Sequence, residues 1–198
     1  MLTIELTDDI DLLVYDVVKC CVDKTYHACC ITVSILLHEL IPGSRLVEGY
    51  LNVNGKYSCW HVWLEYHDRT IDAGHMINVA VHDFHNKVDV LRSLAPLYER
   101  CDMDTTEEKK IFNQNMKLLE IYRTAPEKYW NLIRVVDRNN YNLLVEIYNT
   151  FSPERKRKLA CTKPKPNDKC GCQSTIKYKR CCAILAENYM NINTSTSN

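Results

Sequence analysis

The chain has 198 residues, 46% of them hydrophobic, enough for one substantial core and a small appendage. Its 25 basic residues balance 25 acidic ones, so net charge alone marks it for no polyanion, and no apolar run is long enough to span a membrane. Eleven cysteines in a chain this long, opening on Met1-Leu2-Thr3-Ile4-Glu5 without a basic leader, argue against a small secreted disulfide scaffold and predict a reducing, cytoplasmic setting.

In chain order, residues 1–24 read as a short strand and then a helix bearing Leu12, Leu13, Val17 and Val18. Ala28 to Leu40 has helical spacing and stops at Pro42-Gly43. Arg45 to Val53 and Lys56 to Tyr66 are rich in β-formers, and Asn54-Gly55 between them predicts a two-residue hairpin. His67-Asp68 makes a second turn, and Arg69 to Ala73 a third strand. A stretch with His75, His82 and His85 follows; His82 and His85 offer two metal ligands, but nothing nearby completes a site.

Three residues of this half carry chemistry. Cys30 opens the apolar helix, and uncompensated N–H dipoles at a helix start favour the thiolate, the nucleophilic form of cysteine. His61 lies in the second strand and Asp72 in the third. If His67-Asp68 is a two-residue turn, Tyr66 faces Arg69, and Asp72 lies diagonally beside His61 on the same sheet face. A carboxylate there can accept the second imidazole N–H and fix the ring; a turn one residue longer would part them. Trp60, Val62, Leu64 and Tyr66 on one side, with His61 and Trp63 on the other, predict a central strand covered on both faces. The plainer alternative is a packed core cysteine and a structural histidine.

Cys30 with Ser34, Arg45-Leu46-Val47-Glu48-Gly49-Tyr50, His61-Val62-Trp63 and Ile71-Asp72 resemble the transglutaminase-like branch of the papain-like cysteine proteases. The resemblance covers about residues 26 to 75, departing at Val62 and at Cys29 beside the nucleophile position. It implies Cys30 as nucleophile, His61 as general base and acid, and Asp72 as the orienting carboxylate. Cys30 is preferred over Cys29 because the Ser34 offset fits it. Tyr26, His27 or the Cys30 backbone N–H are the candidates for the oxyanion donor.

From Asp104 the pattern turns helical. Asp104 or Thr105 caps a helix reaching Tyr122, Thr105 with Glu108 has capping-box spacing, and Pro126 opens a helix through Val136. Tyr141 to Thr150 is a further helix, and Ser152-Pro153 opens a last, basic one. Tyr122, Tyr129, Trp130 and Tyr148 read as core, and Lys163-Pro164-Lys165-Pro166 as an extended linker. Residues 155 to 182 carry ten Lys or Arg against the single acid Asp168, a tail suited to acidic protein or RNA.

Within that tail Cys170, Cys172, Cys181 and Cys182 fall inside thirteen residues. Two close pairs joined by a short loop can supply the four thiolates of a closed, structural Zn²⁺ site, whose metal would provide the folding energy. Asn167-Asp168, both pairs and Lys177-Tyr178-Lys179 resemble the SEC-C motif found at the C terminus of the SecA translocation ATPase. Gln173, Thr175 and Ile176 depart from it, standing where that family usually has Gly, Gly and Lys.

The expected protein is therefore α+β, with a catalytic core over residues 1–100, a helical extension over 101–162, a zinc module over 163–185 and a flexible tail over 186–198. The expected activity is cysteine-dependent acyl transfer on protein or peptide amides. The alternative is a non-enzymatic adaptor that binds protein or RNA through the basic zinc tail.

Overall fold

The computed structural model describes residues 9–24, 30–53, 57–67, 69–77, 97–99, 117–152, 154–160 and 163–194. Tyr26, His27, Cys29, Asn54-Gly55, His82, His85 and the Asp104–Thr105 cap lie outside them. The protein is mixed α+β and divides into two compact units: residues 1–102 with 150–154, and residues 103–149 with 155–198. Most of the expected helical extension thus falls in one unit with the cysteine module, while its residues 101–102 and 150–154 fall in the other.

The first unit begins with α1 (Asp9–Asp23), which buries Val14, Val17, Val18 and Cys21. In α2 (Cys30–Leu40) every residue from Ile31 to Leu37 is buried, as suits a helix apolar on all sides. Gly43, at φ +85°, supplies the left-handed residue that ends this segment. Strands β1 (Arg45–Val53), β2 (Tyr57–Tyr66), β3 (Arg69–Ile71) and β4 (Leu97–Glu99) form an antiparallel sheet in the order β3-β2-β1-β4. β2 is central, and its residues 61–64 are all buried, as expected of a strand covered on both faces. Arg45 pairs with Glu65 across the ladder, and Arg69 of β3 with Asp11 of α1.

The strand registers set the turn lengths on either side of β2. Tyr66 faces Arg69, so the β2–β3 turn is the anticipated two-residue one, and His67 takes a left-handed φ of +51° as such turns require. Between β1 and β2, Val53 faces Tyr57, so three residues join the strands rather than two. β3 also ends earlier than expected. It stops at Ile71 because Asp72 starts a short helix over residues 73–77, accepting from the Met76 N–H at its carbonyl (3.1 Å) and from the His75 N–H at Oδ1 (3.0 Å).

In the second unit, helical residues 117–124 stop before Pro126, which occupies the first turn of α3 (Pro126–Val136). Asp137 caps α4 (Arg138–Phe151) by accepting from the Asn140 N–H. Tyr122, Tyr129, Trp130 and Tyr141 meet edge-to-face with centroids 5.6 to 6.3 Å apart, which makes these aromatics core and not a stacking platform.

Two expectations are corrected here. No basic helix follows Ser152: residues 154–160 are non-helical, and Asn149, Asn142 and Tyr141 of α4 hold their backbone. Asn149 accepts from the Arg157 N–H (2.7 Å) and donates to the Arg157 carbonyl (2.8 Å); Asn142 accepts from the Ala160 N–H (2.8 Å); Tyr141 donates to the Lys158 carbonyl (3.1 Å). Arg157 lies over the Trp130 and Tyr148 rings and, with Arg155, pairs with Glu127. This segment follows the helix as a strap because its arginines gain an aromatic bed and a carboxylate that a solvated helix face lacks. The second correction concerns the tail. Residues 182–194 form α5 (Cys182–Thr194), so helix occupies most of the stretch expected to be flexible.

Candidate functional site

Two constellations stand out, one in each unit. In the first, His61 Nε2 lies 2.7 Å from both Asp72 carboxylate oxygens, with His61 5% and Asp72 0% exposed. A carboxylate only accepts, so the Nε2 proton is held there, and Nδ1 becomes the nitrogen turned to other chemistry. The geometry descends from the register. The two-residue turn sets Asp72 diagonally to His61, and Gly49 stands opposite His61 on β1, leaving its cross-strand neighbour without a side chain.

Cys30, partly buried, is the first residue of α2. Two observations fix that helix end relative to the dyad. Ser34 Oγ donates to the Val62 carbonyl at 3.0 Å, which pins α2 to β2 beside His61. A Cβ placed on Gly74 would lie 2.9 Å from Cys30 Cα, 3.0 Å from Cys30 Cβ and 3.6 Å from Asp72 Oδ1. Cys30 Cβ and Asp72 Oδ1 are therefore no farther apart than the last two distances laid end to end. Cys30 thus lies in the neighbourhood of the His61–Asp72 pair, with Gly74 between it and Asp72. The turn register also predicted Gly74 opposite His61; because β3 stops at Ile71, Gly74 instead lies in the short helix and packs against Cys30. Cys21 offers a contrast, since burial pushes its thiol up to about 12 and leaves it a core group.

In the second unit, Cys170, Cys172, Cys181 and Cys182 bring their sulfurs within 4.8 Å of one another. The adjacent separations are 3.4 Å for Cys170–Cys172, 3.4 Å for Cys172–Cys181 and 4.0 Å for Cys181–Cys182. A disulfide would need about 2.05 Å. A tetrahedron with metal–sulfur bonds of about 2.3 Å has edges of about 3.8 Å. The donor set therefore fits a metal ion, and all four cysteines are unbridged.

Local structure explains the arrangement. Lys169 bridges Lys177, Cys170 N–H donates to the Ile176 carbonyl at 3.1 Å, and Tyr178 N–H donates to the Asp168 carbonyl at 2.8 Å. These close the loop, and a 3₁₀ turn over Tyr178–Arg180 delivers Cys181 and Cys182 at the start of α5. Gln173, one of the residues that depart from the SEC-C pattern, sits at φ +64°, where glycine would be unstrained. Ser174 Oγ lies 3.2 Å from Cys172 Sγ and 3.3 Å from Cys181 Sγ. Burial raises Cys172, but hydrogen bonds from the Ser174 hydroxyl and backbone and from Cys170 and Cys181 outweigh it and bring the thiol down to about 7. Burial, then the neighbouring Cys170, pushes the Cys182 thiol up against the opposing bond from Asn131.

Among the described residues no helix is long and apolar enough to cross a membrane. Compared with protein-family models, with curated proteins and with solved structures, the chain matches none of them.

Proposed function

We propose that the protein is a cysteine-dependent acyl-transfer enzyme acting on protein or peptide amides, with Cys30 as nucleophile, His61 as base and acid, and Asp72 as the orienting carboxylate. The observation that supports this best is the buried His61–Asp72 pair, both oxygens 2.7 Å from Nε2, beside a cysteine that opens a helix. The order of residues that resembles the transglutaminase-like enzymes points the same way. In this reading the Cys30 proton passes to His61 Nδ1 and the sulfur adds to the amide carbonyl. His61 then returns that proton to the leaving amine as the C–N bond breaks, and a thioester remains. Water, deprotonated by His61, releases the acid and restores the thiol, so the sum is amide plus water to acid plus amine.

The four C-terminal cysteines hold Zn²⁺ in this reading. Bound there, the metal supplies folding energy and takes no part in acyl transfer, because four thiolates leave no position open.

The test is alkylation by iodoacetamide at neutral pH with peptide mapping. Cys30 is expected to react well ahead of a peptide thiol and of Cys21, and His61→Ala to abolish that advantage. Labelling of Cys30 at the rate of a free peptide, unchanged by His61→Ala, sinks the enzyme reading.

A second reading rests on the cysteine module's surface, where Lys163, Lys165, Lys169, Lys177, Lys179 and Arg180 are all exposed. An adaptor would use them to bind acidic protein or RNA. Deleting residues 163–198 would then abolish capture of such a partner, and the binding would weaken with salt.

A further inference from the structure

We infer that Asn131 and Arg134 of α3 form the outer sphere of the C-terminal metal site, so that the helix positions the Cys170-Gly171-Cys172 ligand arm. This rests on the reading that the four cysteines hold a metal ion.

Three observations carry it. Asn131, 4% exposed, directs Nδ2 to Cys170 Sγ at 3.5 Å. A neutral thiol is a poor acceptor for a buried amide, whereas a metal-bound thiolate is a good one. Next, Gly171 lies directly on the same side chain: a Cβ there would be 2.7 Å from Asn131 Oδ1 and 3.4 Å from Arg134 Nη1. The residue between the first two ligands thus lies directly on α3, and a side chain there would have to displace either Asn131 Oδ1 or the arm. Lastly, Asn131 Oδ1 and Arg134 Nε are buried with no hydrogen-bond partner among the described residues.

The placement follows from helix geometry and charge. Residues 131 and 134 are three apart and share one face of α3. Val135, on the same helix, packs against the cluster of Cys170, Cys172, Tyr178 and Cys182. A divalent ion with four thiolates carries two net negative charges, which favour an amide donor and a guanidinium beside them. The ligand arm therefore does not stand as a detached knuckle. Metal binding orders α3 together with the loop, and Asn131 fixes the orientation of Cys170.

The experiment uses the full chain with Co²⁺ and Zn²⁺ as the only added metals. Wild type, Asn131→Ala, Asn131→Asp and Gly171→Ala are compared for Zn²⁺ affinity against a chromophoric chelator and for the Co²⁺–thiolate charge-transfer band. Both Asn131 variants and Gly171→Ala are expected to bind about tenfold to a hundredfold more weakly, and the band to shift when the N–H···S bond is lost. Amide exchange over residues 126–136 is expected to slow on metal addition in wild type and to respond less in Gly171→Ala. Asn131→Asp keeps the shape of the side chain, so it stands in if the alanine variant does not fold. Wild type that shows no thiolate–Co²⁺ band defeats the metal reading and this inference together. Wild type that binds, with variants of unchanged affinity and band, overturns the role of Asn131 alone.

Discussion

Asp72 uses one carboxylate for two tasks: it meets His61 Nε2 through both oxygens, and Oδ1 also accepts the His75 N–H. Replacing it by alanine strands a buried imidazole and removes a helix cap, which together are expected to lower stability by about 3–5 kcal/mol in urea titration. Asp72→Asn keeps the size of the group but loses its charge and can reverse the tautomer. Amide hydrolysis is then expected to fall by about 10⁴, the loss known when a triad aspartate becomes asparagine, with the fold retained by circular dichroism. Full activity in that variant would remove Asp72 from the mechanism. Gly74 is the neighbour that makes the approach of Cys30 possible, since a methyl there would lie 2.9 Å from Cys30 Cα. Gly74→Ala is therefore expected to slow Cys30 alkylation more than it lowers the melting temperature.

At the scale of elements, the turn after β2 and the loop between the cysteine pairs differ in how well their residues suit them. His67 holds a left-handed conformation that histidine accepts more readily than most side chains, whereas Gln173 holds one at φ +64° without that advantage. The left-handed region costs an ordinary side chain about 1–2 kcal/mol, partly offset because glycine has more freedom to lose. Gln173→Gly is expected to tighten Zn²⁺ binding severalfold in chelator competition; unchanged or weaker binding would show that the loop relaxes elsewhere. The strap over residues 154–160 makes a similar case. Asn149 satisfies both backbone groups of Arg157, so Asn149→Ala is expected to cost about 1–3 kcal/mol, read as a drop in denaturation midpoint.

Those elements also show what could be read from residue order. The β2–β3 register was legible because His67-Asp68 permits a tight turn, and that register alone placed Asp72 beside His61. The cysteine spacing likewise anticipated a cluster whose sulfurs now lie at metal-site separations. The strap was not legible. Arg155-Lys156-Arg157-Lys158 has good helix propensity, and only the distant Glu127, Trp130 and Asn149 draw it into another conformation. β4 was missed for a similar reason, since three residues carry too little periodicity and its pairing with Tyr50–Asn52 is long-range.

Across the whole chain, metal removal and acid address different units. Chelation is expected to deprotect amides of α3 and α5 while those of β1 and β2 keep their exchange rates, because the cysteine module belongs to the second unit. Acid acts on His38 in the first. Burial lowers its affinity for a proton, while Glu39 and the contact with Ser44 oppose that shift. A histidine lowered in the folded state leaves more protons on the unfolded chain, so its contribution is complete above about pH 6.5 and is lost as pH falls through the folded value. His38→Gln is expected to flatten that part of the stability–pH curve between neutrality and mild acid. An identical curve would assign the slope to other groups.

The doubly engaged carboxylate has a consequence for protein engineering. Grafting a different segment in place of residues 73–77 would alter the demand on Asp72 Oδ1 and with it the hold on the His61 ring. On the proposed reading, selectivity and turnover are therefore expected to drift together in any such library, and selecting for one would drag the other along.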